Sequence, residues 1–256
     1  MAILLCGWPV GIAIALLTLG PIADTWGWQP AMHGTALGCI LAIGIVGFFY
    51  RPPPGQKTGT ASGIGFHMAR PELSLICFAG LLWTVYNLAY FSFLSFGPAL
   101  LMERGLDVVA AGGAISLTSW AALPALPLGG YVADRTGRPG MVLLVCCLMA
   151  AAATTALPLV DYPFVLCGAI GLFAAAPAGV IMGRAISLMS PSHRALGNAI
   201  LYTFFYGGMG LGTGMFGWSA DYMDTAAAPI YLGATCLILT IPLYLGLHLM
   251  ARAKPA

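Results

Sequence analysis

One long apolar stretch decides the fold class. Residues 72–100 read ELSLICFAGLLWTVYNLAYFSFLSFGPAL, and Glu72 at the first position is the only charged residue among them. A bilayer core of about 30 Å is crossed by roughly 20 helical residues, so this stretch is long enough to span it. Lipid offers no partners to free backbone groups, and the run lacks the alternation of a barrel strand. The stretch therefore predicts a transmembrane helix.

Seven further apolar stretches flank this one, and short connectors between them hold nearly all of the charge. Each stretch is long enough to cross a bilayer as a helix. The sequence therefore predicts an all-α fold, a polytopic membrane helical bundle with eight transmembrane helices. The predicted spans are 2–22, 31–50, 72–100, 108–129, 140–159, 163–186, 197–219 and 229–250.

The composition excludes several classes of protein. Of 256 residues, 60% are hydrophobic and 7% are charged, against about 45–50% and about 25% in soluble domains. A soluble enzyme and a disordered chain are therefore both excluded. A net charge of +2 without a basic run gives no nucleic-acid surface. No Walker loop, HExxH, G-x-S-x-G or CxxC motif occurs, so we expect neither an enzyme nor a cofactor.

The charges divide unequally between the two ends of the predicted spans. Nine of the ten cations lie at the end that holds Met1, and only Arg104 lies at the other end. The positive-inside rule places the Met1 end in the cytoplasm. We therefore expect an integral protein of the plasma (inner) membrane with both termini cytoplasmic. The nine cations are Arg51, Lys57, Arg70, Arg135, Arg138, Arg184, Arg194, Arg252 and Lys254.

The longest connector on the cytoplasmic side, residues 51–70, is rich in proline, glycine and threonine. We interpret it as a linker between two structural halves. Residues 1–50 would then hold the last two helices of one half, and residues 71–256 would form a complete six-helix half. An ordinary long loop is the alternative interpretation.

The most specific motif lies in the tight turn between the fourth and fifth predicted spans. Residues 130–139 read GYVADRTGRP, which gives the pattern G-x-x-x-D-R-x-G-R. The glycines permit close helix approach and positive φ, and a carboxylate at this edge suits a helix N-terminus. We expect an ionic latch in which arginines pair with the carboxylate; charges that only set the topology are the alternative. The predicted latch residues are Gly130, Asp134, Arg135, Gly137, Arg138 and Arg184.

This motif resembles the signature loop of the major facilitator superfamily of secondary transporters. Pro139 departs from the pattern, because the family often has a second basic residue there. Other stretches are similar to the family's fifth helix and to the entry of its eleventh. The chain thus resembles family helices five to twelve, and the first four have no counterpart. These stretches are WPVG at residues 8–11, GWQ at 27–29, PSHRA at 191–195 and GGMGLG at 207–212.

A polar and aromatic face on the third predicted span is the leading candidate for a solute site. Its residues follow the spacing i, i+3, i+4, i+7, i+8 and share one side of a helix, where unpaired polar groups in lipid are costly. By the resemblance, this span is the seventh family helix, which lines the central cavity. An aromatic packing stripe with its amide bonded across helices is the alternative. The face holds Trp83, Tyr86, Asn87, Tyr90 and Phe91, and a second, weaker face holds Tyr202, Phe205 and Tyr206.

The resemblance implies transport of a small solute by alternating access, with helical bundles rocking around a midplane site. The expected partners are the lipid bilayer, the solute and a coupling ion. No charged residue lies near the middle of a span, so these residues offer no proton relay. The polar and aromatic face suggests a neutral or anionic solute. The alternative is a membrane fragment or subunit that acts only with the missing N-terminal helices or a partner chain.

Overall fold

The computed structural model describes residues 2–51 and 68–252, with side chains from Gly7 onward. Within these ranges every regular element is a helix, which confirms the predicted all-α fold. A short 3-10 helix, Pro191–His193, precedes the eighth of nine α-helices. The α-helices are α1 (Ala2–Trp26), α2 (Trp28–Phe49), α3 (Arg70–Glu103), α4 (Val108–Thr136), α5 (Pro139–Ala156), α6 (Pro163–Ala175), α7 (Pro177–Ser187), α8 (Arg194–Met223) and α9 (Ala227–Arg252).

These helices correspond to the eight predicted spans, because α6 and α7 together make one apolar segment of 25 residues. The segment is interrupted before Pro177, which has no N–H to continue the helical hydrogen bonds. In the described part of the chain, seven segments are long and apolar enough to cross a membrane. The eighth, α8, has 30 residues, but its many glycines contribute little hydropathy.

Local sequence explains where α4 begins and ends. Asp107 caps the first turn, because its Oδ1 accepts a hydrogen bond from the backbone N–H of Ala110 at 2.8 Å. Gly137 ends the helix in the left-handed conformation with φ of 64°, a position that suits glycine. The positive φ predicted for the motif is therefore present at Gly137.

The core of the bundle is built around α3, which packs against α8, α9 and α4, while α5 packs against α6 and α9. The contact between α4 and the α6–α7 segment is especially close. A Cβ atom at Gly171 would overlap the carbonyl oxygen of Thr118, and one at Gly129 would overlap that of Ala176. Small residues allow such backbone contact where lipid supplies no hydrophobic drive.

The first two helices lie at the edge of the bundle. Helix α1 packs against α4, and α2 packs mainly against α1. Apart from the buried Ala31, the residues of α2 are exposed. Most of the predicted linker, residues 52–67, lies outside the described residues.

The end of the bundle at which α3 begins is called the basic end below, and the other is called the opposite end. If the eight helical segments alternate in direction, seven described arginines lie at the basic end and Arg104 lies at the opposite end. The seven are Arg51, Arg70, Arg135, Arg138, Arg184, Arg194 and Arg252.

Candidate functional site

A cavity of about 270 Å³ lies among α1, α3, α4, the α6–α7 segment and α8. All six residues predicted to bind a solute line it, although the four on α3 and the two on α8 are more than 100 residues apart in the sequence. None of the lining residues is charged. The lining residues are Trp8, Pro9, Trp83, Tyr86, Asn87, Tyr90, Ala122, Leu126, Ala174, Ala175, Ala178, Tyr202, Phe205 and Tyr206.

Two tyrosines on α3 connect the cavity wall to neighbouring helices. The hydroxyl group of Tyr86 donates a hydrogen bond to the carbonyl oxygen of Ala174, near the end of α6. The hydroxyl group of Tyr90 lies 3.1 Å from Oγ of Ser119 on α4. Both phenols are therefore engaged with the protein rather than free in the cavity.

The amide of Asn87 does not bond across helices, which differs from the packing alternative considered for this face. Its Nδ2 donates to the backbone carbonyl of Trp83 at 2.7 Å, one turn earlier in α3. The acceptor is a carbonyl, so this contact also identifies the nitrogen of the amide. Asn87 is buried, and its side-chain oxygen accepts no hydrogen bond from the described residues.

The indole of Trp83 is a second polar group in the cavity wall that has an unpaired atom. Its Nε1 is buried, and within residues 2–51 and 68–252 it has no hydrogen-bond acceptor. A buried donor that stays unsatisfied costs about 1–3 kcal/mol. The nitrogen itself has almost no accessible surface, so an acceptor on a bound molecule reaches it only when the indole or a neighbouring side chain moves.

Aromatic rings form the rest of the wall. Tyr202 and Tyr206 stack with ring centroids 6.1 Å apart, and Phe205 meets Tyr206 edge-on at 4.9 Å. From α1, Trp8 packs against Tyr90 at 5.4 Å. The sequence prediction included the two tyrosines of α8 but assigned no cavity role to Trp8. A single aromatic residue produces no periodic pattern, so only its contact with α3 identifies it.

At the signature loop, the predicted ion pairs of Asp134 are not formed in this conformation. Asp134 is exposed at the end of α4, and the ion pairs between described residues do not include it. The Nη1 of Arg135 instead donates to the hydroxyl group of Tyr131 at 2.7 Å, one turn earlier on α4. The backbone N–H of Arg138 donates to Oγ1 of Thr136 at 3.4 Å.

Two other latch residues also differ from expectation. No atom lies close to the place where a Cβ at Gly130 would stand, so the close helix approach is made one residue earlier, by Gly129. Arg184, near the end of α7, is half-buried, and its Nε has no hydrogen-bond partner among the described residues. Among the predicted latch residues, Asp134 thus has a free carboxylate and Arg184 has a guanidinium that is incompletely paired.

The sequence interpretation missed a polar cluster at the basic end. The buried carboxylate of Glu72 accepts hydrogen bonds from the backbone N–H and the Oγ of Ser190, both at 2.8 Å. Its other oxygen lies 3.2 Å from Nδ1 of His193. The cluster joins the start of α3 to the connection between α7 and α8. More than 100 residues separate the partners, and no local pattern links them.

Two consecutive residues form the corresponding contacts at the opposite end. The carboxylate of Glu103 accepts from the backbone N–H of Ala226 at 2.9 Å, beside the start of α9. Nη1 of Arg104 donates to the carbonyls of Leu157 and Val160 at 2.6 and 2.8 Å, beyond the end of α5. Arg104 also forms an ion pair with the exposed Asp161. The negative charge of Glu103 is favourable at the N-terminus of α9, and the positive charge of Arg104 is favourable at the C-terminus of α5, because each opposes the partial charge of that helix end.

Comparison with known families agrees with this architecture. The family model described as Major Facilitator Superfamily matches residues 1–163 and residues 82–256. No curated protein matches the chain significantly. The two family matches overlap and together extend from the first residue to the last. The chain therefore belongs to the major facilitator superfamily, and it is an integral membrane protein of the transporter class.

Proposed function

We propose that this transporter moves a small solute through the cavity by alternating access. The observation that carries the proposal is the convergence of Trp83, Asn87 and Tyr90 on α3 with Tyr202 and Tyr206 on α8 around one uncharged space. Concave sites with a few placed polar groups among apolar and aromatic residues are typical of small-molecule binding.

The basic end offers a means of holding one of two conformations. Asp134 is unpaired at the end of α4, and Arg184 is incompletely paired near the end of α7. We propose that these two residues, with Arg135 and Arg138, pair in the conformation opposite to the one described. Partly buried ion pairs of this kind are stabilising only when their geometry is good, so a modest change in helix position would make or break the latch.

We also propose that residues 71–256 form one structural half, that residues 1–50 belong to another, and that residues 51–70 link them. The main buried cluster supports this division, because its fully buried members run from Leu75 to Leu247. Leu16 is the only described member of α1 or α2 that packs against the cluster. The first two helices are thus peripheral to the core.

The proposed location is the plasma (inner) membrane, with the basic end and both termini in the cytoplasm. The support is the concentration of described arginines at the basic end, against Arg104 alone at the opposite end. Retention of arginine and lysine in the cytoplasm sets the orientation of most helical membrane proteins.

The coupling ion, if transport uses one, would bind beside this uncharged cavity rather than to a carboxylate within it.

Thiol accessibility tests alternating access without knowledge of the solute. In a background that retains only the fully buried native Cys147 and Cys167, Asn87→Cys is treated with a membrane-impermeant maleimide in vesicles of each orientation. We expect labelling from both sides, because each conformation opens the cavity to one side. Ala150→Cys, at a fully buried position of α5, is the control and should stay unlabelled. Labelling of position 87 from one side only, or from neither, would reject the proposal.

A further inference from the structure

We propose that the cavity selects flat, uncharged aromatic solutes that carry a hydrogen-bond acceptor, and that the indole N–H of Trp83 is the donor that recognises this acceptor. The inference rests on the proposed function, because it assigns a class of solute to the same cavity. It narrows the expectation from the sequence, which left neutral and anionic solutes open.

The absence of charged residues from the cavity lining indicates that the solute is neutral. Among the described residues that border the cavity there is no aspartate, glutamate, lysine, arginine or histidine. An ion that enters such a space loses its hydration and gains no opposite charge in return, which is strongly unfavourable. A neutral molecule avoids this penalty.

The hydrogen-bonding groups of the cavity wall indicate which polar groups the solute should have. The phenols of Tyr86 and Tyr90 already bond to Ala174 and Ser119. The indole N–H of Trp83 is unpaired but buried, so a solute that shifts this side chain toward the cavity would bring an acceptor to a donor that the protein leaves unsatisfied. The oxygen of Asn87 lies one turn away on the same face and can accept from an N–H of the same solute. An amide group on the solute meets both requirements.

The aromatic rings of the wall and the volume of the cavity indicate an aromatic solute of limited size. Rings from Trp8, Phe205, Tyr202 and Tyr206 surround the polar pair, and such faces favour offset or edge contacts with another ring. A volume of about 270 Å³ falls just below the range of about 300–1,000 Å³ found for drug-sized ligands. One or two fused rings with a small substituent are the size that fits.

Aromatic surroundings also attract cations, and this alternative makes a different prediction. A cation would place positive charge near the unpaired N–H of Trp83, which is itself the positive edge of the ring. The cavity holds no carboxylate to offset that repulsion. The comparison of a neutral with a cationic probe therefore separates the two possibilities.

The experiment measures binding to the purified full chain by equilibrium dialysis, with detergent micelles alone subtracted. The probes share one ring system and differ in charge: 2-naphthamide, 2-naphthoate and 2-naphthylmethylammonium. We expect saturable binding of 2-naphthamide and at least tenfold weaker binding of both ions. The proposal is overturned if either ion binds as tightly as the amide, or if no probe binds.

A substitution then identifies the donor. Trp83→Phe keeps an aromatic ring and removes the N–H, so the affinity for 2-naphthamide should fall about fivefold or more, whereas that for 2-methylnaphthalene, which has no acceptor, should stay within twofold. Trp218→Phe, at an exposed position of α8 outside the cavity, is the matched control and should change neither. Equal weakening of both probes by Trp83→Phe would reject the role of the N–H. The probe series on the unsubstituted chain decides the charge selectivity even if this variant does not fold.

The two proposals fail in different ways. The maleimide experiment needs no solute, and the dialysis experiment needs no conformational change. Labelling from both sides together with tight binding of 2-naphthoate would reject the solute class and keep alternating access. Labelling from one side together with selective binding of 2-naphthamide would reject alternating access and keep the solute class.

Discussion

Single residues at the ends of α3 illustrate what the sequence can and cannot reveal. Glu72 is evident as a lone charge at the start of an apolar stretch, which predicts the helix boundary. Its hydrogen bonds to Ser190 and its contact with His193 depend on how α3 meets the end of α7. Side chains that approach each other through tertiary packing carry no spacing signal, so neither partner could be predicted.

The carboxylate of Glu72 should be a measurable source of stability. Glu72→Gln keeps the size of the side chain, but it removes the charge that strengthens the two hydrogen bonds from Ser190. We expect a loss of about 1–3 kcal/mol, seen as a lower melting temperature of the purified chain in detergent. Asp221→Asn, at an exposed site of α8, is the control. Equal melting temperatures for the two variants would contradict a structural role for the cluster.

At the scale of helices, hydropathy and periodicity predicted most of the bundle. Each predicted span has a helix, and the shared face of Trp83, Asn87 and Tyr90 does border a cavity. The interruption before Pro177 was not predicted, because hydropathy stays uniformly high along this segment and does not report a break in the helical hydrogen bonds. The choice of Gly129 rather than Gly130 for close packing depends on the crossing of two helices, which composition does not determine.

The contact between α4 and α6 should be intolerant of even one methyl group. Gly171→Ala would place a Cβ against the backbone carbonyl of Thr118, and we expect a loss of about 1–3 kcal/mol from overpacking. Gly168→Ala lies one turn earlier on α6, where a Cβ meets no atom. It should be neutral or stabilising by up to about 1 kcal/mol, because alanine favours helix more than glycine does. Thermal unfolding of both variants measures the contrast, and similar losses would contradict the close approach.

At the scale of the whole molecule, the signature loop should affect motion more than stability. In the described conformation Asp134 is exposed and unpaired. Asp134→Asn should therefore change the free energy of unfolding by no more than about 0.5 kcal/mol, while it slows labelling of Asn87→Cys from one of the two sides. Thermal unfolding and maleimide kinetics on the same preparation check both parts. Unchanged kinetics from both sides would exclude Asp134 from the latch.

The orientation of the bundle is a second prediction at this scale. Epitope tags inserted beside Lys57 and fused after Ala256 should both be detected on the cytoplasmic face, because an even number of crossings separates them. Protease protection in intact cells and in inverted vesicles measures this. Tags on opposite faces would contradict the number of crossings and the charge partition together.

The double anchoring of α3 has a mechanical consequence. Its basic end is tied to the connection before α8 through Glu72, and its opposite end is tied to α9 and α5 through Glu103 and Arg104. A force on the cavity face of α3 should not tilt this helix alone, because the connection before α8, the start of α9 and the end of α5 would have to move with it. We therefore expect α3, α5, α8 and α9 to move together as a rigid group, and we expect relative motion to be greater at the contact between α1 and α4.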